Sequence, residues 1–246
     1  MKTSIATLFM LLALTGMQLK AQTAKKQILR VDYTTNPGSP KLLEIIRLQI
    51  KDPVLLQKTV NLIDKYKYYF TLNVNLQTSE SVFKLDSVTK VEKVKVVGNG
   101  EYGFRNKDNG YLCNENFMSS NYTIKGSVKD LQWEIKEDTL TLGGYKCVKA
   151  TLKQMPDVIV WFTPDIPVSS GPYMFHGLPG LVMKMQNNFE ETIATRVAYQ
   201  GDVNVFNTDA ENIMAKSKST KIVSLSEIVV AKSNFMRMIE SKTSKD

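Results

Sequence analysis

The sequence predicts an α+β protein dominated by antiparallel strands, with an N-terminal helix and a C-terminal helix packed on the sheet. Three observations carry this. Short runs rich in aromatic and β-branched residues recur through the middle of the chain, and turn pairs such as Asn109-Gly110, Gly143-Gly144 and Asn187-Asn188 separate several of them. The long helical patterns that parallel βαβ units require do not lie between those runs.

The elements follow in order. Lys2, the apolar run from Ile5 to Gly16 and the small-residue site Leu19-Lys20-Ala21 predict a secretory signal peptide over residues 1–21. Residues 22–246 then form one β-rich domain, a length that suits a single core, since cores rarely grow past about 250 residues. Gln27 to Thr35 alternates apolar and polar residues and ends at Asn36-Pro37-Gly38, a strand entering a turn. Asp52 followed by Pro53 starts a helix whose apolar surface comes from Val54, Leu55, Leu56, Val60, Leu62 and Ile63. From Tyr68 to Leu85 the period changes to two, with Phe70, Leu72, Val74 and Leu76 on one face.

Further strands are expected at Lys93 to Val97, Tyr102 to Asn106, Asn121 to Lys125, Trp133 to Ile135, Tyr145 to Lys153, Val158 to Thr163, Leu181 to Asn187 and Thr192 to Tyr199. In the tail, Ser224-x-x-Glu227 forms a capping box ahead of an apolar stripe reaching about Ser241.

Several function classes are disfavoured. The formal charge is +8, but lysines alternate with acids in stretches such as Leu85 to Val97, so the balance reads as a solvated surface and not as a nucleic-acid footprint. No second hydrophobic span follows the leader, so no transmembrane span is expected. Gly98 to Gly103 matches G-x-G-x-x-G, yet the residues after it form a loop with its own Asn-Gly turn, so a β-hairpin is expected in place of a nucleotide site. His176 is the single histidine, and no nucleophile elbow accompanies Ser169-Ser170. The expectation is therefore a non-enzymatic protein with no cofactor.

Two alternatives stay open. His176 with Met174 and Cys147 has the soft donors that suit Cu(I), although Met183 and Met185 alternate as one buried strand face would. Cys113 and Cys147 are either a disulfide, which export permits, or two buried free thiols. Glu190 and Glu191 are consecutive, so on a strand they point to opposite faces, and a solvated turn is expected there.

One segment stands out. Pro164, Pro167, Pro172 and Pro179 are gathered with Gly171, Gly177 and Gly180, and Trp161, Phe162, Tyr173, Phe175 and Leu178 are interleaved with them. Disordered linkers rarely carry such aromatics, so an ordered, packed loop feeding the strand at Leu181 is expected.

The runs Gly144 to Ala150, Val160 to Pro167, Gly171-Pro172 and Gly177-Leu178-Pro179-Gly180-Leu181-Val182 closely resemble the GLPGLI family of exported Bacteroidota proteins, with Val182 where the hexapeptide has isoleucine. The resemblance implies a curved sheet or half-barrel in a periplasmic or otherwise exported protein. Its motif loop supplies the candidate binding residues Trp161, Pro167, Gly171, Pro172, Phe175, Gly177, Leu178, Pro179 and Gly180. The expected function is a binding module for an apolar small ligand or an envelope protein. The alternative is a hydrolase or metal-handling protein centred on His176.

Overall fold

A computed structural model describes residues 27–89, 100–117, 120–199 and 202–243. The first strand, β1 (Ile28–Asn36), is followed by helices α1 (Pro40–Gln49) and α2 (Pro53–Lys65). Then come β2 (Tyr68–Asn75), β3 (Ser81–Val88), β4 (Tyr102–Arg105), β5 (Gly110–Phe117) and β6 (Ser120–Ser127). After a short 3-10 turn, Val128–Asp130, five more strands follow: β7 (Trp133–Leu142), β8 (Tyr145–Leu152), β9 (Met155–Thr163), β10 (Leu181–Gln186) and β11 (Glu191–Tyr199). Helix α3 (Val203–Ser217), β12 (Lys221–Val223) and helix α4 (Leu225–Thr243) close the chain.

The twelve strands of the described residues join one open sheet, antiparallel except where β12 runs parallel beside β6. Two meanders leave β1 in opposite directions, β2 to β6 on one side and β11 back to β7 on the other. This order forces curvature. Nine strands separate β6 from β7 in the sheet, which at the usual interstrand spacing is roughly 48 Å if flat. The connection from Ser127 to Trp133 spans at most about 20 Å. The two halves therefore curl toward each other, as the comparison with a half-barrel led us to expect. The hydroxyl of Tyr33 on β1 braces the curve by reaching past β11 to donate to the Val182 carbonyl of β10 at 2.6 Å.

The inside of the curve holds the larger core, with Val31, Tyr33, Phe70, Leu72, Phe83, Tyr111, Ala150, Val160 and Phe162 facing inward. A second cluster lies on the outer face, where Phe206, Ala210 and Ile213 of α3 cover Ile28, Val82, Tyr102 and Phe104. The helix starts follow local chemistry. The Asp52 carboxylate accepts from the Val54 and Leu55 N–H groups at 2.8 and 3.0 Å, and Ser224 and Glu227 cap each other's backbone at 3.3 and 2.7 Å.

The structure differs from expectation in several places. The run predicted from Tyr68 to Leu85 is two strands, because the Asn75 side chain accepts from the N–H groups of Gln77 and Thr78 and turns the chain there. Strand β5 was not anticipated, since Asn114, Glu115 and Asn116 interrupt its apolar pattern. Helices α1 and α3 were not anticipated either, although Ser39 with Pro40 and Asp202 supply their starts. The strand expected at Lys93 to Val97, the signal peptide and the first residues of the Gly98 to Gly103 run lie outside the described residues. From Gly103 the chain continues in β4 and turns at Asn109-Gly110 into β5, so no helix follows the glycines.

Cys113 and Cys147 are both buried free thiols in this structure. They sit on β5 and β8 with seven strands between them in the sheet order, and each thiol donates to a backbone carbonyl, of Asn114 and Tyr145 respectively, at 3.6 Å. Among the described residues no helix is long and apolar enough to cross a membrane.

Candidate functional site

The proline- and glycine-rich loop between β9 and β10 lies inside the curve of the sheet and fills much of it. Its chain is held by its own short turns, with His176 N–H donating to the Met174 carbonyl at 2.9 Å and Gly180 N–H to that of Leu178 at 2.9 Å. The N–H groups of Leu181 and Val182 donate to the carbonyls of Ile166 and Ser170, which ties the loop to the start of β10. Tyr173 adopts a positive φ of 55°, a conformation rare for an aromatic residue, and in it the ring packs edge-on against Phe83 at 4.7 Å and Phe70 at 5.6 Å. Trp133 of β7 packs on Phe175 and its indole N–H donates to the His176 carbonyl at 2.7 Å. Gly177 takes a φ of 94° beside Val128. The loop thus seals the place where the two sheet edges approach.

This placement separates the motif residues. Gly171, Pro172, Phe175, Leu178 and Gly180 are buried, whereas Trp161 is half-buried and Pro167, Gly177 and Pro179 reach solvent. Of these, Pro167 lines a polar cavity of about 400 Å³ beside Arg105, and Phe175 faces a separate, apolar one.

That cavity has a volume of about 600 Å³ and lies between α1, β5, the loop and α4. Leu42, Ile45, Met155, Met174, Phe175 and Phe235 give it an apolar wall. Three charged side chains also line it. Lys232 of α4 and Glu115 of β5 form an ion pair at 2.9 Å with both side chains largely buried. Burial lowers the ammonium pKa, and the Glu115 charge and hydrogen bond together with the Glu190 and Asp157 charges more than restore it, leaving Lys232 above its ordinary value. Glu190, in the turn between β10 and β11, is 6% exposed and one of its carboxylate oxygens, Oε2, has no hydrogen-bond partner. Burial and, next, the Glu115 charge push its pKa up to about 8.

The pairing of faces expected for Glu190 and Glu191 holds, but the solvated turn does not. Glu191 points outward to Lys184 at 2.6 Å, and Glu190 points into the cavity. Sequence reasoning missed Glu190, Glu115 and Lys232 as a group. Sequence distance hid them, since they come from the β10–β11 turn, β5 and α4, and the one available signal was an acid beside the aromatic Phe189.

His176 is buried on the other side of the loop, and neither ring nitrogen has a hydrogen-bond partner. Burial and, next, the nearby Arg105 charge hold its pKa down at about 3, and the Tyr173 carbonyl offsets part of this. Arg105 of β4 is itself buried, donating to the carbonyls of Ser169 at 2.6 Å and of Ser79. The pair braces the loop and offers no nucleophile. Met174 lines the apolar cavity and Cys147 bonds to its own strand, and among the described residues no group of three or more His, Cys, Asp or Glu side chains is placed to hold a metal ion.

Comparison with known proteins matches residues 152–184 to a family described as a protein of unknown function, Porph_ging. The matched segment is β9, the loop and most of β10; it contains the resembling runs from Val160 to Val182 but not Gly144 to Ala150, and the GLPGLI name is not part of that description. No curated protein matches the chain. Two solved structures of PNGF-II are similar to it. The one in the C2 space group has 15% identity and a TM-score of 0.46, covering 84% of this chain and 33% of that one. The one in the P21 space group has 16% identity and a TM-score of 0.40, covering 70% and 28%. The chain spans about a third or less of the length of PNGF-II.

Proposed function

We propose that this protein is an exported, non-enzymatic binding module that holds an apolar small molecule in the cavity between α1, β5 and α4. The supporting observation is the cavity of about 600 Å³, walled by Leu42, Ile45, Met155, Met174, Phe175 and Phe235. A volume and lining of that kind are typical of small-molecule sites, with a few polar groups set in an apolar wall. In this reading the loop between β9 and β10 is a rigid floor, and α1 and α4 form the walls. The exposed parts of the loop remain a candidate surface for an envelope protein, but its aromatic residues are spent on the interior.

Titration with the neutral dye Nile red tests the reading. The dye should bind with a blue shift, and Ile46→Trp, which puts bulk on the half-buried α1 wall, should weaken it about tenfold or more while leaving the unfolding midpoint in place. Equal binding by both proteins, or none by either, would count against the cavity as the site.

A further inference from the structure

We infer that the ligand of the cavity is an amphiphile bearing a single amine, whose ammonium group sits against the unpartnered carboxyl oxygen Oε2 of Glu190. This rests on the apolar-ligand reading above. The argument is one of unmatched groups. Among the lining residues Lys232 is the cation, and it is already committed to Glu115 at 2.9 Å with both side chains withdrawn from solvent. Glu190 lines the same cavity, is nine-tenths buried and leaves Oε2 without a donor. A buried polar atom without a partner is costly, so natural structures seldom keep one without a use.

Three kinds of head group can be compared. A carboxylate head would meet Glu115 and Glu190 while Lys232, the cation among the described lining residues, is already paired with Glu115. A hydroxyl could donate to Oε2 but would leave Glu190 in its protonated form, with no added stabilisation of the carboxylate. An ammonium supplies both the donor and the charge, giving the cavity two carboxylates and two cations.

The groups facing Glu190 are Glu115 and Cys113 of β5, Lys232 of α4, Tyr173 of the loop and Tyr68 of β2. Buried, and with the Glu115 charge beside it, Glu190 keeps its proton in the empty cavity near neutral pH. On binding, the ammonium keeps its own proton and Glu190 releases one to solvent, so one proton leaves for each ligand bound. Linkage then makes the apparent affinity for the amine rise about tenfold per pH unit up to about pH 8 and level off above it.

Calorimetric titration of the protein with dodecylamine, dodecanol and dodecanoate, in two buffers of different ionisation enthalpy, tests this. Dodecylamine should bind tightest and release about one proton. Glu190→Gln should remove the proton release and lower the ratio of amine to alcohol affinity about tenfold or more. Its Nile red binding and unfolding midpoint show whether the variant is folded. If dodecanoate binds tightest, or all three bind alike without proton release, the amine inference is overturned while the apolar cavity stands. If none of the three binds and Nile red does not either, the apolar-ligand reading itself is wrong.

Discussion

Gly103 of β4 lies flat against the carbonyl of Tyr173, so close that a Cβ there would lie well inside the sum of its own and the carbonyl oxygen's van der Waals radii. The contact joins the sheet to the buried loop through backbone alone. Gly103→Ala should therefore cost about 3 kcal/mol, the upper range for overpacking, because the obstructing atoms are main chain and cannot rotate away. Gly143→Ala, in the open β7–β8 turn with a φ of 55° and nothing within 4 Å, should cost only about 1 kcal/mol. Urea midpoints of the two variants measure the difference, and equal losses would show that the loop yields.

Arg105 next to it makes the second attachment of the loop. Its guanidinium reaches two carbonyls that lie far apart in sequence, Ser79 in the β2–β3 turn and Ser169 in the loop. A lysine has no planar fork with which to span both, so Arg105→Lys should destabilise the protein by about 2 kcal/mol despite keeping the charge. An unchanged denaturation midpoint would mean that the charge and not the fork is what this position needs.

These two attachments show what the sequence could and could not announce. The loop's order was readable, because prolines and aromatics mixed with glycine describe a packed turn. Its position inside the curve was not, since that depends on β6 and β7 being neighbours in the chain yet near opposite edges of the sheet. The strands were readable where one face is buried and the period is two, as in β1. They were lost where Asn114, Glu115 and Asn116 of β5 turn polar, and that strand supplies Glu115 and Cys113 to the cavity. Glu190 could be assigned to a turn but not to an interior, because burial there is decided by α1 and α4, which arrive from either end of the chain.

Cys113 and Cys147 supply a chemical check on the interior. Burial pushes both thiols up, Cys147 to about 11, so neither holds an appreciable thiolate population at neutral pH. Native protein should resist iodoacetamide, and unfolded protein should take up two adducts without prior reduction. A mass showing no adducts in denaturant until a reductant is added would establish a disulfide in their place.

His176 and Glu190 set opposite limits on the pH range of stability. His176 has a folded-state pKa of about 3 against an ordinary 6.5, so the unfolded chain binds more protons between those values and stability is lost as pH falls. Glu190 has a folded-state value of about 8 against an ordinary 4.5, so the folded chain binds more protons and stability is lost as pH rises through that window. Each slope is about 1.4 kcal/mol per pH unit, and where the windows overlap, from 4.5 to 6.5, the two cancel. The pair should thus give a plateau across mildly acidic pH with a decline on either side. Single variants separate the limbs. Glu190→Gln should flatten the decline above pH 6.5 and, with the cancellation gone, let the acid decline begin near pH 6.5. His176→Phe should flatten the acid decline between pH 4.5 and 3 and let the alkaline decline begin near pH 4.5. Thermal unfolding of the three proteins from pH 3 to 9 measures both limbs. A variant that leaves its own limb unchanged would remove that residue as the cause.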